Sequence, residues 1–323
     1  MIRARIIGAG AFLPDNVVTN SDLAKRVDTS DEWIRERTGI KQRYIAKDGQ
    51  NTSDLALGAA RAALTDAGID ADELDLIIVA TTTPDRTFPS VATMVQARLG
   101  MSRGAAFDVQ AVCSGFIYGL SLADSLIRTG QARTILLIGA ETMSRVLDWT
   151  DRTTCVLFGD GAGAVVLQAH AGHGDNADQG ILNTRIFSDG RLHDLLHTDG
   201  GVSSTKHAGL LKMQGKEVFK HAVANIAAAI DASAGAAGIP ISEVDWFVPH
   251  QANQRILDGT ARKLGIDPAK VVSTVAFHGN TSAASVPLAL VTAVEDGRIK
   301  RGDLVILEAM GAGFTWGACL LRW

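Results

Sequence analysis

Cys113-Ser-Gly-Phe-Ile-Tyr-Gly-Leu-Ser-Leu-Ala-Asp-Ser-Leu-Ile-Arg-Thr-Gly130 has a partner in the second half of the chain, Asn280-Thr-Ser-Ala-Ala-Ser-Val-Pro-Leu-Ala-Leu-Val-Thr-Ala-Val-Glu-Asp-Gly297. Both stretches read as helices, and each reaches a glycine 17 positions after its first residue. The first is apolar almost all round, as a helix buried between two sheets would be. Upstream, Asp75-Leu-Ile-Ile-Val-Ala80 and Asp245-Trp-Phe-Val-Pro-His250 read as short apolar strands after an acidic turn. Downstream, each glycine is followed by a basic turn and a buried strand, Thr134–Gly139 and Leu304–Glu308. Gly-rich strands then close each half, Phe158–Leu167 and Gly311–Leu320. The repeated order predicts two duplicated α/β halves, residues 1–172 and 173–323, related by a pseudo-twofold axis and layered α-β-α-β-α. Continuous apolar strands alternating with helices predict sheets that are mainly parallel and covered on both faces.

Composition sets the outer limits. With 323 residues, 46% apolar and 20% charged, the chain can bury a large core. Its net charge of −4 and dispersed Lys and Arg leave no electrostatic footprint for nucleic acid. The N-terminal stretch is too short and too interrupted by Gly and Pro14 for a signal peptide. No run of about 18 apolar residues suggests a membrane span. Cys113, Cys155 and Cys319 are widely spaced and odd in number, which argues for a reducing compartment over a disulfide framework. The expectation is a cytoplasmic protein.

Three positions carry chemistry. Cys113 lies between a strand and a helix, where unpaired amides and the helix dipole would expose the thiol and favour the thiolate. A free cysteine is as often a buried apolar residue, so its surroundings leave both readings open. His250 ends an apolar strand, the place where α/β proteins put their sites. Asn280 enters a helix from a turn-rich loop, where asparagine is also common as a cap. The matching places of Cys113 and Asn280 in the two halves predict that two helix starts converge, with His250 nearby.

Six stretches in order resemble one family, the β-ketoacyl-acyl carrier protein synthases III of the thiolase-like condensing enzymes. They are Asp31–Ile40, Ala111–Gly115, Phe158–Gly163, Pro249–Asn253, Gly279–Pro287 and Gly311–Gly317. The resemblance implies a Cys113-His250-Asn280 triad of the type that begins chains from a coenzyme A thioester. It implies decarboxylative Claisen condensation of an acyl-CoA primer with malonyl-acyl carrier protein, through an acyl-Cys113 thioester. His250 and Asn280 would stabilise the enolate left by CO2 loss. The backbone N–H groups of Cys113 and Ala312 would form a second oxyanion site, where a lost donor costs on the order of 3 kcal/mol. No metal or redox cofactor is implied.

The resemblance extends to contacts. Trp33 and Arg152 match residues that sandwich the CoA adenine, and Arg37 one that meets its phosphates. Asn253 matches a residue of the pantetheine tunnel, with Phe219 along the same wall. Arg255, Arg262 and Lys263 would dock an acidic carrier protein, 255 and 262 sharing a helix face. Phe88 matches a residue that a dimer partner inserts toward the acyl pocket, which implies a homodimer. Where many relatives have three glycines the chain has Gly311-Ala312-Gly313, and Met310 stands where Phe is frequent. Met310 is expected to loosen the acyl pocket toward primers longer than acetyl.

Other motifs point elsewhere and fall short. Gly8-Ala-Gly10 lacks the third glycine of a dinucleotide fingerprint, because residue 13 is Leu. His193 and His197 have four-residue spacing without the glutamate of a zinc-protease motif. Rival functions are a condensing enzyme of specialised metabolism with the same triad, a cysteine acyl-hydrolase using His250 as base, and a non-catalytic acyl-CoA scaffold. Asn280, and the lack of a carboxylate to orient His250, count against the hydrolase.

Overall fold

The computed structural model describes residues 1–323. Nine strands build two sheets. They are β1 (Ile2–Phe12), β2 (Leu76–Ala80), β3 (Ala105–Val109), β4 (Thr134–Thr142), β5 (Asp160–Ala171), β6 (Gly180–Ser188), β7 (Trp246–Pro249), β8 (Leu304–Gly311) and β9 (Thr315–Arg322). Seven helices position the site. They are α1 (Asp31–Thr38), α2 (Thr52–Ala67), α3 (Val91–Leu99), α4 (Gly115–Arg128), α5 (Gly215–Ala237), α6 (Gln254–Leu264) and α7 (Ser285–Glu295). No helix is long and apolar enough to cross a membrane.

The first sheet runs β1-β5-β4-β2-β3 and the second β7-β8-β9-β6. Helices α4 and α7 lie between them: Phe116, Leu120 and Ile127 of α4 and Val286, Leu290 and Ala293 of α7 share one core with Ile78 and Leu137 of the first sheet and Val305 and Leu307 of the second. The next residues along the same strands, Ile77, Val79, Leu136 and Ile138, face the opposite way onto α2 and α3. On the far side Phe247, Ile306 and Leu320 face α5 and α6. Five layers alternate, α-β-α-β-α, and strands buried on both faces read as unbroken apolar runs because alternate side chains enter different cores. Each large apolar side chain fully buried this way contributes roughly 1.5–3 kcal/mol.

The sheets are mixed, which corrects the expectation of mainly parallel strands. β2 pairs parallel with β3 and β4, and β7 with β8, whereas β1–β5, β4–β5, β8–β9 and β9–β6 are antiparallel. The closing Gly-rich strand of each half returns beside its predecessor. In the second half a tight turn joins Gly311 to Thr315, so a crossover helix is not needed.

The duplication has a fixed offset of 170 positions. Asp75 and Asp245 each donate a backbone bond to the start of a strand, Asp75 N to Thr134 O at 2.9 Å and Asp245 N to Leu304 O at 2.9 Å. Their Oδ2 atoms accept from the Thr134 and Leu304 amides at 3.0 and 2.8 Å. Gly68 and Gly238 end α2 and α5 with φ of 66° and 65°, and Val112 and Ser282 precede α4 and α7 with φ of 47° and 49°. In this register Cys113 corresponds to Ala283, and Asn280 to Gln110. The equivalence read between Cys113 and Asn280 is therefore out by three residues. Helix α7 has 11 residues against 14 in α4, so alignment on Gly130 and Gly297 slides the helix starts past each other.

Gly8 and Gly10 have a packing role. A Cβ on Gly10 would stand 2.3 Å from the Ala63 amide nitrogen, and one on Gly8 2.5 Å from that of Ala67, so both glycines let β1 lie against α2. Gly10→Val should destabilise the protein by about 1–3 kcal/mol through overpacking; urea unfolding checks this, with a drop in midpoint at unchanged slope.

Candidate active site

Cys113 sits in a single 3-10 turn, Val112–Ser114, that leads into α4. The turn begins with a β-branched residue held at a left-handed φ of 47°, a conformation that costs on the order of 1–3 kcal/mol. The second half repeats the device at Ser282, and the two turns pack on each other. Cys113 is only 4% exposed. Burial pushes its thiol up to about 12, and the charge of Glu141 adds to this. The exposure expected at a helix start is not found: α4 begins two residues later, and Cys113 is buried in the turn before it.

Two cavities meet at this residue. One of ≈ 1220 Å³ is lined by Thr83, Gln110, Thr142, Met143, Ala312 and Thr315 among others. The other, of ≈ 530 Å³, holds His250, Asn280, Asn253, Phe219, Met310 and Arg37. Cys113, Phe158 and Leu196 belong to both and form the neck between them.

His250 follows β7 and is buried. Its Nδ1 lies 2.5 Å from Ser285 Oγ, which also accepts from the Gln251 amide at 3.3 Å. Ser285 makes no other side-chain hydrogen bond, so its proton goes to Nδ1 and the ring carries its own proton on Nε2. Burial pushes the imidazole down to about 3, which keeps it neutral. Asn280 is fixed in a complementary way. Its Oδ1 accepts from the Ser282 amide at 2.9 Å, as a capping residue does, so its Nδ2 hydrogens are left for the cavity. Two neutral N–H donors therefore face the narrower cavity beside the thiol. Gly311 packs where a Cβ would come within 2.7 Å of the Cys113 amide nitrogen, and Cys113 and Ala312 both border the larger cavity.

The other predicted residues divide. Arg37, Phe219, Asn253 and Arg255 line the narrower cavity, and Asn253 also caps α6 through Oδ1 to the Ile256 amide at 3.1 Å. Two guanidinium groups lie over the Trp33 ring, with Arg37 Cζ 4.5 Å and Arg152 Cζ 5.1 Å from its centroid. Arg152 is also tied to the Asp28 carbonyl at 2.8 Å. A base stacked between Trp33 and Arg152 needs about 7 Å, twice a van der Waals spacing, so Arg152 must swing aside to admit one. Arg262 and Lys263 are exposed farther along α6, outside both cavities. Phe88 is 82% exposed and lines neither cavity of its own chain. Met310 lines the narrower cavity with Phe219 and Phe314, and not the larger one. The loosening expected of it therefore falls on the narrower cavity. His193 and His197 border the larger cavity, each engaging Asp194, and no metal-holding group of side chains forms.

Sequence reading missed three residues of this site: Ser285, Ser282 and Glu141. The signal for Glu141 was a carboxylate closing the otherwise apolar run of β4; the two serines were hidden in a helix start rich in small residues. As a check on the ring assignment, the 15N spectrum of His250 should show a neutral Nε2–H imidazole from about pH 9 to pH 5, since a pKa lowered by burial leaves the charged form unpopulated there. Ser285→Ala should mix the tautomers.

Comparison with known proteins places this geometry. A model of the 3-oxoacyl-[acyl-carrier-protein (ACP)] synthase III family matches residues 107–190, and the model of that family's C-terminal part matches residues 235–323. A beta-ketoacyl-[acyl-carrier-protein] synthase III of Rhodospirillum centenum is 65% identical over 322 residues, covering 100% of this chain and 99% of the relative. That of Rhodospirillum rubrum is 64% identical over 323 residues, covering 100% of both. The crystal structure of the Aquifex aeolicus 3-oxoacyl-[acyl-carrier-protein] synthase III is 49% identical with a TM-score of 0.93, covering 99% of this chain and 100% of that one. With matches over both halves and relatives aligned from end to end, the chain belongs to the 3-oxoacyl-[acyl-carrier-protein] synthase III family of thiolase-like enzymes.

Proposed function

We propose that this chain is an initiating condensing enzyme of type II fatty acid synthesis, an acyltransferase that joins an acyl-CoA primer to malonyl-acyl carrier protein and releases CoA, CO2 and a 3-ketoacyl-carrier product. The observation that carries the reading is the pair of unpartnered donors, His250 Nε2 and Asn280 Nδ2, facing the cavity that reaches Cys113. Cys113 Sγ attacks the primer carbonyl, the bond to CoA sulfur breaks, and the acyl group stays as a thioester. The oxygen of that tetrahedral intermediate sits against the Cys113 and Ala312 amides. Malonyl on the carrier then occupies the narrower cavity. Its carboxylate leaves as CO2, and the negative charge moves to the thioester oxygen, where the two donors receive it. The carbanion attacks the acyl-Cys113 carbon, forms the new carbon–carbon bond and expels the thiolate.

A neutral donor suits this step. An imidazole held neutral by burial gives up no proton to the enolate, and Ser285 aligns it without the carboxylate that a hydrolase uses to stabilise imidazolium. The tunnel wall of Phe219, Asn253 and Arg37, with Trp33 and Arg152 at its outer end, accommodates a pantetheine arm and its nucleotide. The exposed Arg255, Arg262 and Lys263 on α6 supply a cationic face for an acidic carrier. Phe88, a large aromatic left in solvent, supports a homodimer in which each copy reaches the partner's acyl pocket. Decarboxylation itself generates the carbanion, so the reaction calls for no resident metal or redox group, and its substrates place it in the cytoplasm.

Incubation with malonyl-acyl carrier protein and a panel of acyl-CoAs should give 3-ketoacyl-carrier products by mass. Intact protein should show an acyl adduct that Cys113→Ala abolishes. Free acid as the sole product, or an adduct that persists in Cys113→Ala, would reject the assignment. Because Met310 lies in the tunnel, Met310→Phe should lower turnover of acetyl-CoA and hexanoyl-CoA by similar factors, within about threefold of each other, leaving primer preference where it was.

A further inference from the structure

Gln251 follows His250 in the chain and is 1% exposed. Its side-chain amide makes four hydrogen bonds, all to backbone. Nε2 donates to the Pro249 carbonyl at 2.7 Å and the Val272 carbonyl at 3.1 Å, and Oε1 accepts from the Thr274 amide at 2.7 Å and the Val275 amide at 3.0 Å. Carbonyls on one side and amides on the other fix which end is nitrogen, and both protons and both lone pairs are used. These partners lie on the two segments that end in the donors of the site. Pro249 precedes His250 at the end of β7. Thr274 and Val275 open the short helix Val275–His278, which leads through Gly279 into Asn280. That helix has no side-chain cap of its own: Thr274 holds the N-cap position, yet its buried hydroxyl bonds to nothing. Gln251 Oε1 supplies the cap from the other segment and satisfies amides that would otherwise be orphaned in a dry interior.

We propose that Gln251 is a positioning residue that sets the spacing of His250 Nε2 and Asn280 Nδ2, by tying the strand end that carries the imidazole to the start of the helix that carries the amide. The inference rests on the condensing reading given above, in which those two N–H groups receive the enolate charge. Ser285 and the Ser282 amide each orient one donor. Gln251 reaches both segments, and its backbone amide also donates to Ser285 Oγ at 3.3 Å, the hydroxyl that faces His250 Nδ1. The far end of the second segment is pinned independently: Asn280 N donates to the Leu157 carbonyl and its carbonyl accepts from Gly159 N, both at 2.9 Å. Gln251 therefore governs the near end, where the distance between the donors is decided. An oxygen shared by two donors tolerates little error in that distance, since a misplacement of about 1 Å costs about 100-fold in rate. On the same reading the acylation of Cys113 uses the backbone amides of Cys113 and Ala312, neither of which Gln251 touches.

The two half-reactions separate this role from a general one. Acetyl transfer from acetyl-CoA to the whole protein is read by intact mass; the acetylated protein is then mixed with malonyl-acyl carrier protein, and the 3-ketobutyryl-carrier product is followed by mass over a single turnover. Gln251→Leu, of similar size but unable to hydrogen-bond, should slow condensation about 100-fold and change acetyl transfer less than about threefold. Gln251→Glu, whose protonated carboxyl keeps the accepting oxygen and one donor, should regain part of the loss and condense within about tenfold of the native rate. It decides the matter if Gln251→Leu does not fold, since its smaller deficit must also fall on condensation alone. A glutamine that only holds the fold together predicts a lower melting temperature with both half-reactions unchanged per folded molecule. Equal losses in the two half-reactions, or no loss of condensation in the variants that fold, overturns the positioning role. A native protein that takes no acetyl group from acetyl-CoA overturns the reading on which it rests.

Discussion

Two helices buried between two sheets set every other feature of this molecule. A helix with sheet on both sides must be apolar nearly all round, and its first turn has nowhere to go except into the strand ends that feed it. Because α4 and α7 are related by the duplication, their first turns meet at the centre, and each is reached through a residue held at left-handed φ. The cost of those two conformations is met by the packing of the layers around them. What they secure is a thiol and a hydroxyl, from opposite halves, in one dry place.

Dryness then rearranges the acid–base chemistry. The thiol, the imidazole and the Glu141 carboxyl are all moved toward their neutral forms by the same desolvation. None of them has a counter-ion. The site is accordingly organised by hydrogen-bond direction: Ser285 sets the ring, the Ser282 amide sets the Asn280 side chain, and donors close round Glu141. A site of this kind stabilises charge that appears during reaction without storing much charge at rest.

Much of this was legible in the sequence. Strands buried on both faces betray themselves as apolar runs, and the repeated order of elements exposed the duplication, whereas the triad was read from the resemblance of its motifs. Register was not legible, because glycines that end helices are conspicuous whereas helix length is not, and three residues lost from α7 shifted the apparent match from Ala283 to Asn280. The antiparallel return strands were missed since Gly-rich apolar segments look alike in either direction. The expectation of an exposed thiol failed because burial is a tertiary property, invisible to a reading of local helix starts. Glu141 and the serines were overlooked for a related reason: their partners, Thr81 to Thr83 and His250, come from other elements that only the fold gathers.

The neck at Cys113, Phe158 and Leu196 has a consequence for how such enzymes diversify. The larger cavity is shaped by the 82–87 loop and the segment around 193–208, the narrower one by α5, α6 and the strand end at Met310. No residue outside the neck serves both. Substitutions that reshape one compartment leave the walls of the other untouched, so the two are free to evolve along separate lines, joined only at the sulfur.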